Sequence, residues 1–300
     1  MLWIVGVWHL IPYIGYELAS KNYCYSLTYI SLGTFFFLSS YLIAGKYSFK
    51  CWHDAWAFYK KRFIRFWPLF AIASILFLYG NTWQQTILGL IGVSPFWGPQ
   101  MGTLWFMATL MFFYIITPFL ASENNWLSVI TFFGVLCLAV VIQRFFHSVY
   151  TRIYFYFPVY YAGVIAGKHG FEIKTKYWYI VSVLFVIFSV LVHYYGLGSA
   201  ILISKIVGIY ILFLLSKCIS TISNNGINNL VTKVGYASLC VYLFHRPFYH
   251  LGLLMVQFPT PLTKLLYLGL IVLPITIIAC YFIQKVYDSI IKKLTTKYKI

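Results

Sequence analysis

Ten apolar stretches follow one another along the chain, at about residues 2–19, 23–45, 63–80, 102–121, 127–143, 153–167, 178–195, 199–216, 236–256 and 264–284. Each is close to the length needed to cross roughly 30 Å of hydrocarbon as a helix. A backbone in that medium has no water to bond, so only helices and closed barrels span it. The alternation expected of lipid-facing barrel strands is absent. An all-α polytopic transmembrane bundle of about ten spans follows. With 62 % hydrophobic and 9 % charged residues the chain lacks the polar surface of a soluble domain. No small-residue cleavage site follows the first apolar stretch, so that stretch is expected to remain as a span.

A net charge of +17 would suit a nucleic-acid partner, but its distribution points elsewhere. Alternate connections between the spans hold sixteen Lys and Arg on one side, from Lys46 and Lys50 through Lys297 and Lys299. The other side holds three, Lys21, Arg144 and Arg152. The basic side is expected to be cytoplasmic, with both termini inside. The excess charge then reads as topology, with some attraction to anionic membrane lipid, and no nucleic acid is called for. The loop of about residues 80–101 carries no charged side chain, as an external or re-entrant segment could. The turn Asn224-Asn-Gly-Ile-Asn-Asn229 reads as the clearest loop, between the eighth and ninth spans. No linker divides the chain, so residues 1–300 read as one membrane domain ending in a basic tail at 291–300. The six cysteines lie far apart with no CxxC pair, which favours free, buried thiols over a metal or redox site.

The densest cationic segment is Phe58-Tyr-Lys-Lys-Arg-Phe-Ile-Arg-Phe-Trp-Pro68, read as the place where an aqueous loop enters the third span. Lys60, Lys61, Arg62 and Arg65 there form a candidate phosphate site, because guanidinium groups stay charged and grip phosphate with two prongs. A topology signal alone would account for the same residues. His9 lies inside the first span with Pro12 close behind, so that helix is expected to kink or break beside the imidazole. An ionisable group at membrane depth is a functional candidate, and imidazole can take a proton from a hydroxyl. Glu17 is no evident partner, since eight residues of helix separate the two by about 12 Å.

Five segments in order give the chain a resemblance. Val5-Gly-Val-Trp-His9, Phe35-Phe-Phe-Leu-Ser-Ser-Tyr-Leu-Ile43, Phe58–Pro68, Thr103-Leu-Trp-Phe106 and Gly235-Tyr-Ala-Ser-Leu-Cys-Val-Tyr-Leu-Phe-His245 are similar to segments of the acyltransferase 3 family of multi-pass membrane acyltransferases. Ser40 stands where the family usually has glycine, and Leu239 where it usually has tyrosine. Phe157–Gly167 is a weaker match in the sixth span.

The resemblance implies transfer of an acyl group, commonly acetyl from acetyl-CoA, to a hydroxyl of a sugar in a cell-surface or lipid-linked polysaccharide. No cofactor is bound permanently, and acyl-CoA is the donor substrate. The expected enzyme is a multi-pass protein of the plasma or inner membrane. CoA phosphates would dock on Lys60, Lys61, Arg62 and Arg65, with the pantetheine arm reaching toward His9 as base. Direct transfer and a covalent acyl-histidine both fit. Ser39, Ser40, Trp105 and Tyr114 are candidates for lining the site or holding the oxyanion, and His245, ahead of Arg246 and Pro247, is a further candidate. Arg144, His147 and Arg152 could meet an anionic acceptor or snorkel at helix ends, and Lys205 could snorkel or pair with Glu172 or Glu123. His53, His169, His193 and His250 read as interfacial. The family's basic residue about ten positions before the first-helix histidine has no counterpart, since eight uncharged residues precede His9. Two rivals remain, a polysaccharide or lipid-linked-sugar transporter and a non-catalytic partner in glycan synthesis; the first should show inverted repeats, and none is visible.

Overall fold

Apolar side chains of every shape serve in a membrane helix, because the ladder of backbone hydrogen bonds must be closed within the segment. The computed structural model describes residues 1, 3–14, 22–170, 205–213, 225–256, 258 and 260–298, and every regular element among them is helical. In order these are a π-helical turn Ile4–Trp8, α1 Ile11–Ile14, α2 Asn22–Ala44, α3 Trp52–Leu76, α4 Trp83–Leu90, α5 Trp105–Leu120, α6 Asn125–Phe146 and α7 Ile153–His169. After helical residues 205–213 come α8 Asn225–Met255, α9 Pro261–Tyr267, a second π-helical turn Leu268–Val272, and α10 Leu273–Tyr298. Three helices among the described residues are long and apolar enough to cross a membrane: Cys24–Ala44, Asn125–Phe146 and Pro261–Leu294. The expected span at 178–195, the ends of that at 199–216, and Glu17, Glu172, His193 and Cys218 lie outside the described residues.

Three expectations need correcting. Phe58–Pro68 is helix throughout, since α3 begins at Trp52. Cys51 and Asp54 form a capping box at its start, and the Asp54 carboxylate accepts from the Lys50 and Cys51 backbone N–H at 3.1 and 3.2 Å. Residues 225–229 are the opening turn of α8 rather than a loop, and the basic tail continues α10 as far as Tyr298. Cys51 and Cys137 are exposed thiols, whereas Cys24, Cys240 and Cys280 are buried.

The chain forms two compact units, which α2 leaves and joins between Thr34 and Phe35. The first comprises Met1–Thr34 and Ile173–Ile300. Within it α8 packs along α10, with polar rungs between them: Cys240 Sγ donates to Gln284 at 3.1 Å, and Tyr236 donates to Asp288 at 2.5 Å. Lys205 places its ammonium over the Tyr29 ring at 4.2 Å.

The second unit, Phe35–Glu172, is centred on α5, which is buried along most of its length. Phe36 meets Phe106, Phe113 and Tyr156 with ring centroids 4.6–5.1 Å apart, and the Tyr160 hydroxyl shares a 2.6 Å hydrogen bond with Thr117. Gly163 and Gly167 let α7 approach α2 closely: a Cβ at Gly163 would overlap the Ser40 hydroxyl and the Phe37 carbonyl, and one at Gly167 the Tyr41 carbonyl. Glu123 is engaged by the Ser48 hydroxyl at 2.5 Å and by Lys50 at 3.5 Å. Lys168 donates to the Ser122 carbonyl at 2.6 Å beside the isolated bridge between Phe49 and Ser122.

Candidate active site

The first helix does break at His9. Its backbone N–H donates to the Ile4 carbonyl at 2.8 Å, a five-residue step that closes the π-helical turn. Pro12 lacks the N–H that would bond the Trp8 carbonyl and its ring crowds that carbonyl, so a regular helix cannot run through. The widened turn withholds from the Val5 carbonyl its usual partner, the His9 N–H. The Tyr249 hydroxyl of α8 donates to that carbonyl instead, at 3.0 Å. Such widened turns are frequent at functional sites, where they re-aim a side chain.

The side chain re-aimed here is the imidazole. Nδ1 of His9 lies 2.7 Å from Nε2 of His245, and both residues are buried. Nδ1 of His245 in turn lies 2.7 Å from the Tyr242 carbonyl and 3.2 Å from that of Val241. Tyr242, His245 and Tyr249 follow at steps of three and four on one face of α8, so helical geometry gathers them. The Tyr249 ring meets His245 edge-on at 5.7 Å. Pro247 removes a ladder bond just beyond His245, and the Arg246 guanidinium rests over the Tyr13 ring at 5.3 Å.

The second unit holds the cations. Steps of four place Phe58, Arg62 and Phe66 on one stripe of α3, with the two phenylalanines buried. The Arg62 guanidinium lies 5.7 Å from the Phe58 ring and 5.4 Å from the Tyr114 ring. The Tyr114 hydroxyl shares a 2.9 Å hydrogen bond with Ser39. Arg62 makes no ion pair with an acid among the described residues. A mainly apolar cavity of about 610 Å³ opens beside it, lined by Lys60, Arg62, Tyr114, Trp52, Trp56 and Phe63 among others. A fixed positive charge at the edge of an apolar cleft suits an anionic group carried on a hydrophobic or aromatic body.

The structure thus brings together Ser39, Arg62 and Tyr114, with Lys60 on the same cavity. Lys61 and Arg65 are exposed on α3 and do not line that cavity. Ser40 donates to the Phe37 carbonyl of its own helix at 2.9 Å and faces Gly163, so its hydroxyl is committed to packing. Trp105 carries the Arg152 guanidinium over its ring at 4.8 Å, which makes Arg152 a stacked cation rather than one extended into solvent. Tyr249 and the Tyr242 carbonyl were not foreseen; the spacing of aromatic residues about His245 on one helix face was the available sign. Phe58 was equally legible from its place four residues before Arg62.

The described helices, three of them long and apolar enough to cross a membrane, define a helical membrane protein; its first unit holds a buried imidazole pair and its second an arginine-edged cleft. More narrowly, residues 1–285 match the sequence model of the acyltransferase 3 family, described as an acyltransferase domain, and the chain belongs to that family. No curated protein and no solved structure matches the chain. It is a membrane acyltransferase.

Proposed function

We propose that the chain transfers an acyl group, in the first instance acetyl, from acyl-CoA to a hydroxyl of a sugar in a cell-surface or lipid-linked polysaccharide. In this reading it crosses the plasma or inner membrane about ten times, with both termini in the cytoplasm where acyl-CoA is made. The observation that carries the proposal is His9, an imidazole buried at a break in the first helix of a member of this family. A neutral imidazole can take the proton of a hydroxyl as a general base.

The phosphates of CoA would meet Lys60 and Arg62, with Tyr114 and Ser39 holding the guanidinium in place. His9 would take the proton of the acceptor hydroxyl while its oxygen attacks the thioester carbonyl. Collapse of the tetrahedral intermediate breaks the C–S bond, and the proton returns to the departing sulfur, so His9 ends neutral. Lys61 and Arg65, exposed on α3, would add a more distant attraction for the anionic donor and for lipid headgroups.

The test uses membranes carrying wild type, His9→Ala and Arg62→Ala at matched protein level, supplied with acetyl-CoA labelled in the acetyl group. Label is expected in the surface glycan with wild type and in neither variant. Equal labelling by all three, or none by wild type, overturns the assignment.

A further inference from the structure

The histidine pair admits one neutral arrangement. A carbonyl oxygen only accepts, so Nδ1 of His245, at 2.7 Å from the Tyr242 carbonyl, must carry hydrogen. A neutral imidazole has a single N–H, which leaves Nε2 of His245 as a lone pair. That lone pair lies 2.7 Å from Nδ1 of His9, so Nδ1 of His9 carries the hydrogen between them. The reverse arrangement would set the Nδ1 lone pair of His245 against two carbonyl oxygens, at a residue with no solvent exposure.

The ring geometry agrees. The two imidazoles lie within 5° of parallel, with centroids 4.7 Å apart. Their 2.7 Å nitrogen contact is shorter than the roughly 3.5 Å at which ring faces rest on one another. They therefore meet edge to edge, where an in-plane lone pair can receive the N–H. Both nitrogens of His245 are engaged. Nε2 of His9 takes no hydrogen bond among the described residues, and His9 keeps 6 % exposure where His245 has none.

We infer that His245, anchored by the Tyr242 carbonyl, is a positioning residue that holds His9 in its Nδ1–H tautomer and makes Nε2 the nitrogen that removes the acceptor's proton. This rests on the reading of His9 as the base. As the acceptor O–H bond breaks, the new N–H bond forms at Nε2 of His9. The positive charge that results is stabilised through the Nδ1–H donated to His245. When the C–S bond breaks, the Nε2 proton passes to sulfur and the pair returns to its starting state.

The test is nitrogen-15 NMR of the full chain labelled at histidine and held in lipid nanodiscs, with the His9 signals assigned by their loss in His9→Gln. Bare and protonated ring nitrogens resonate far apart. Wild type is expected to show Nδ1 of His9 protonated and Nε2 bare. In His245→Leu the two tautomers should mix, and turnover should fall by about 100-fold with the KM for the donor unchanged. In His245→Gln the amide oxygen can occupy the position of Nε2 and accept from His9, so the Nδ1–H tautomer and at least about a tenth of the turnover should return. A His9 protonated on Nε2 in wild type overturns the inference, as does an unchanged tautomer and rate in His245→Leu. The wild-type spectrum and the glutamine variant decide the matter even where leucine impairs folding. The tautomer is read without turnover: the expected spectra with no acyl transfer support the positioning role and sink the acyltransferase assignment alone.

Discussion

The Arg62 guanidinium lies 5.4 Å from the Tyr114 ring, and the hydroxyl of that ring shares a 2.9 Å hydrogen bond with Ser39. The ring face attracts the cation, and the hydroxyl fixes the ring, so a long side chain is held in one pose beside the cavity. Such a contact contributes about 1 kcal/mol, more where water is excluded. Tyr114→Leu is therefore expected to raise the KM for acyl-CoA by roughly fivefold or more, at 1.4 kcal/mol per tenfold, with kcat little changed. Tyr114→Phe keeps the ring and loses only the hydroxyl, and its effect should be smaller. A donor titration on membranes distinguishes these; a fall in kcat alone would mean that Tyr114 acts elsewhere.

Ser39 and Ser40 are neighbours with different occupations. Ser39 reaches Tyr114, whereas the Ser40 hydroxyl donates to the Phe37 carbonyl within its own helix. Ser39→Ala is expected to raise the donor KM severalfold. Ser40→Ala should leave both kinetic constants within about twofold and alter stability by no more than about 1 kcal/mol, the net worth of one such bond. Kinetics of the two variants side by side check this, and a larger kinetic loss in Ser40→Ala would return that hydroxyl to the site.

The aqueous end of the second unit should show an acid limb in its stability. Backbone N–H groups of Lys50 and Cys51 hold the Asp54 carboxyl below its usual range, and the Ser48 hydroxyl, with Lys50 beyond it, does the same for Glu123. A carboxyl whose folded pKa is depressed contributes stability above its unfolded pKa, near 4, and loses it as pH falls through the folded value. The share of the thermal midpoint in detergent that these two carboxyls supply is thus expected to be level from neutrality to about pH 4 and to decline below it. Asp54→Asn with Glu123→Gln should start lower at neutral pH and decline less. An undiminished acid limb in the double variant would place the responsible carboxyls elsewhere.

How far the sequence was readable depended on whether a feature is local. The π-helical break at His9 was legible because Pro12 lies three residues on and must interrupt the ladder. The phosphate-site candidates were legible because four cations, Lys60, Lys61, Arg62 and Arg65, crowd together in a chain with only 9 % charged residues. Their setting was misread as a loop because cations lower local hydropathy, yet alanine, lysine and arginine favour helix and Asp54 caps it. The asparagines at 225–229 signal a turn by composition, but the first turn of a helix tolerates them. The partnership of His9 with His245 crosses 236 residues and is created by packing, so no spacing rule could reveal it. The same holds for Ser39 with Tyr114, and for Glu123, which is held by Ser48 and Lys50.

The close approach of α7 to α2 yields the last prediction. Lipid tails are as apolar as the helix surfaces, so burial drives membrane helices together only weakly and close packing takes its place. Gly163 and Gly167 lie one turn apart on α7, and at both positions a Cβ would overlap backbone carbonyls of α2. Carbonyls cannot swing aside as a side chain does, so the helix itself would have to move. Gly163→Ala is expected to destabilise by about 1–3 kcal/mol, the usual cost of an overpacked site, and Gly163→Leu to prevent folding. Because the shift would also move Ser40 and its neighbour Ser39, Gly163→Ala should weaken donor binding in the protein that does fold. Ser40→Ala in the Gly163→Ala background removes one of the two obstructing atoms and should recover part of the thermal midpoint. Thermal melts of the single and double variants, with the donor KM of each, measure both effects. Additive losses with no recovery would show that the Phe37 carbonyl alone sets the distance between the helices.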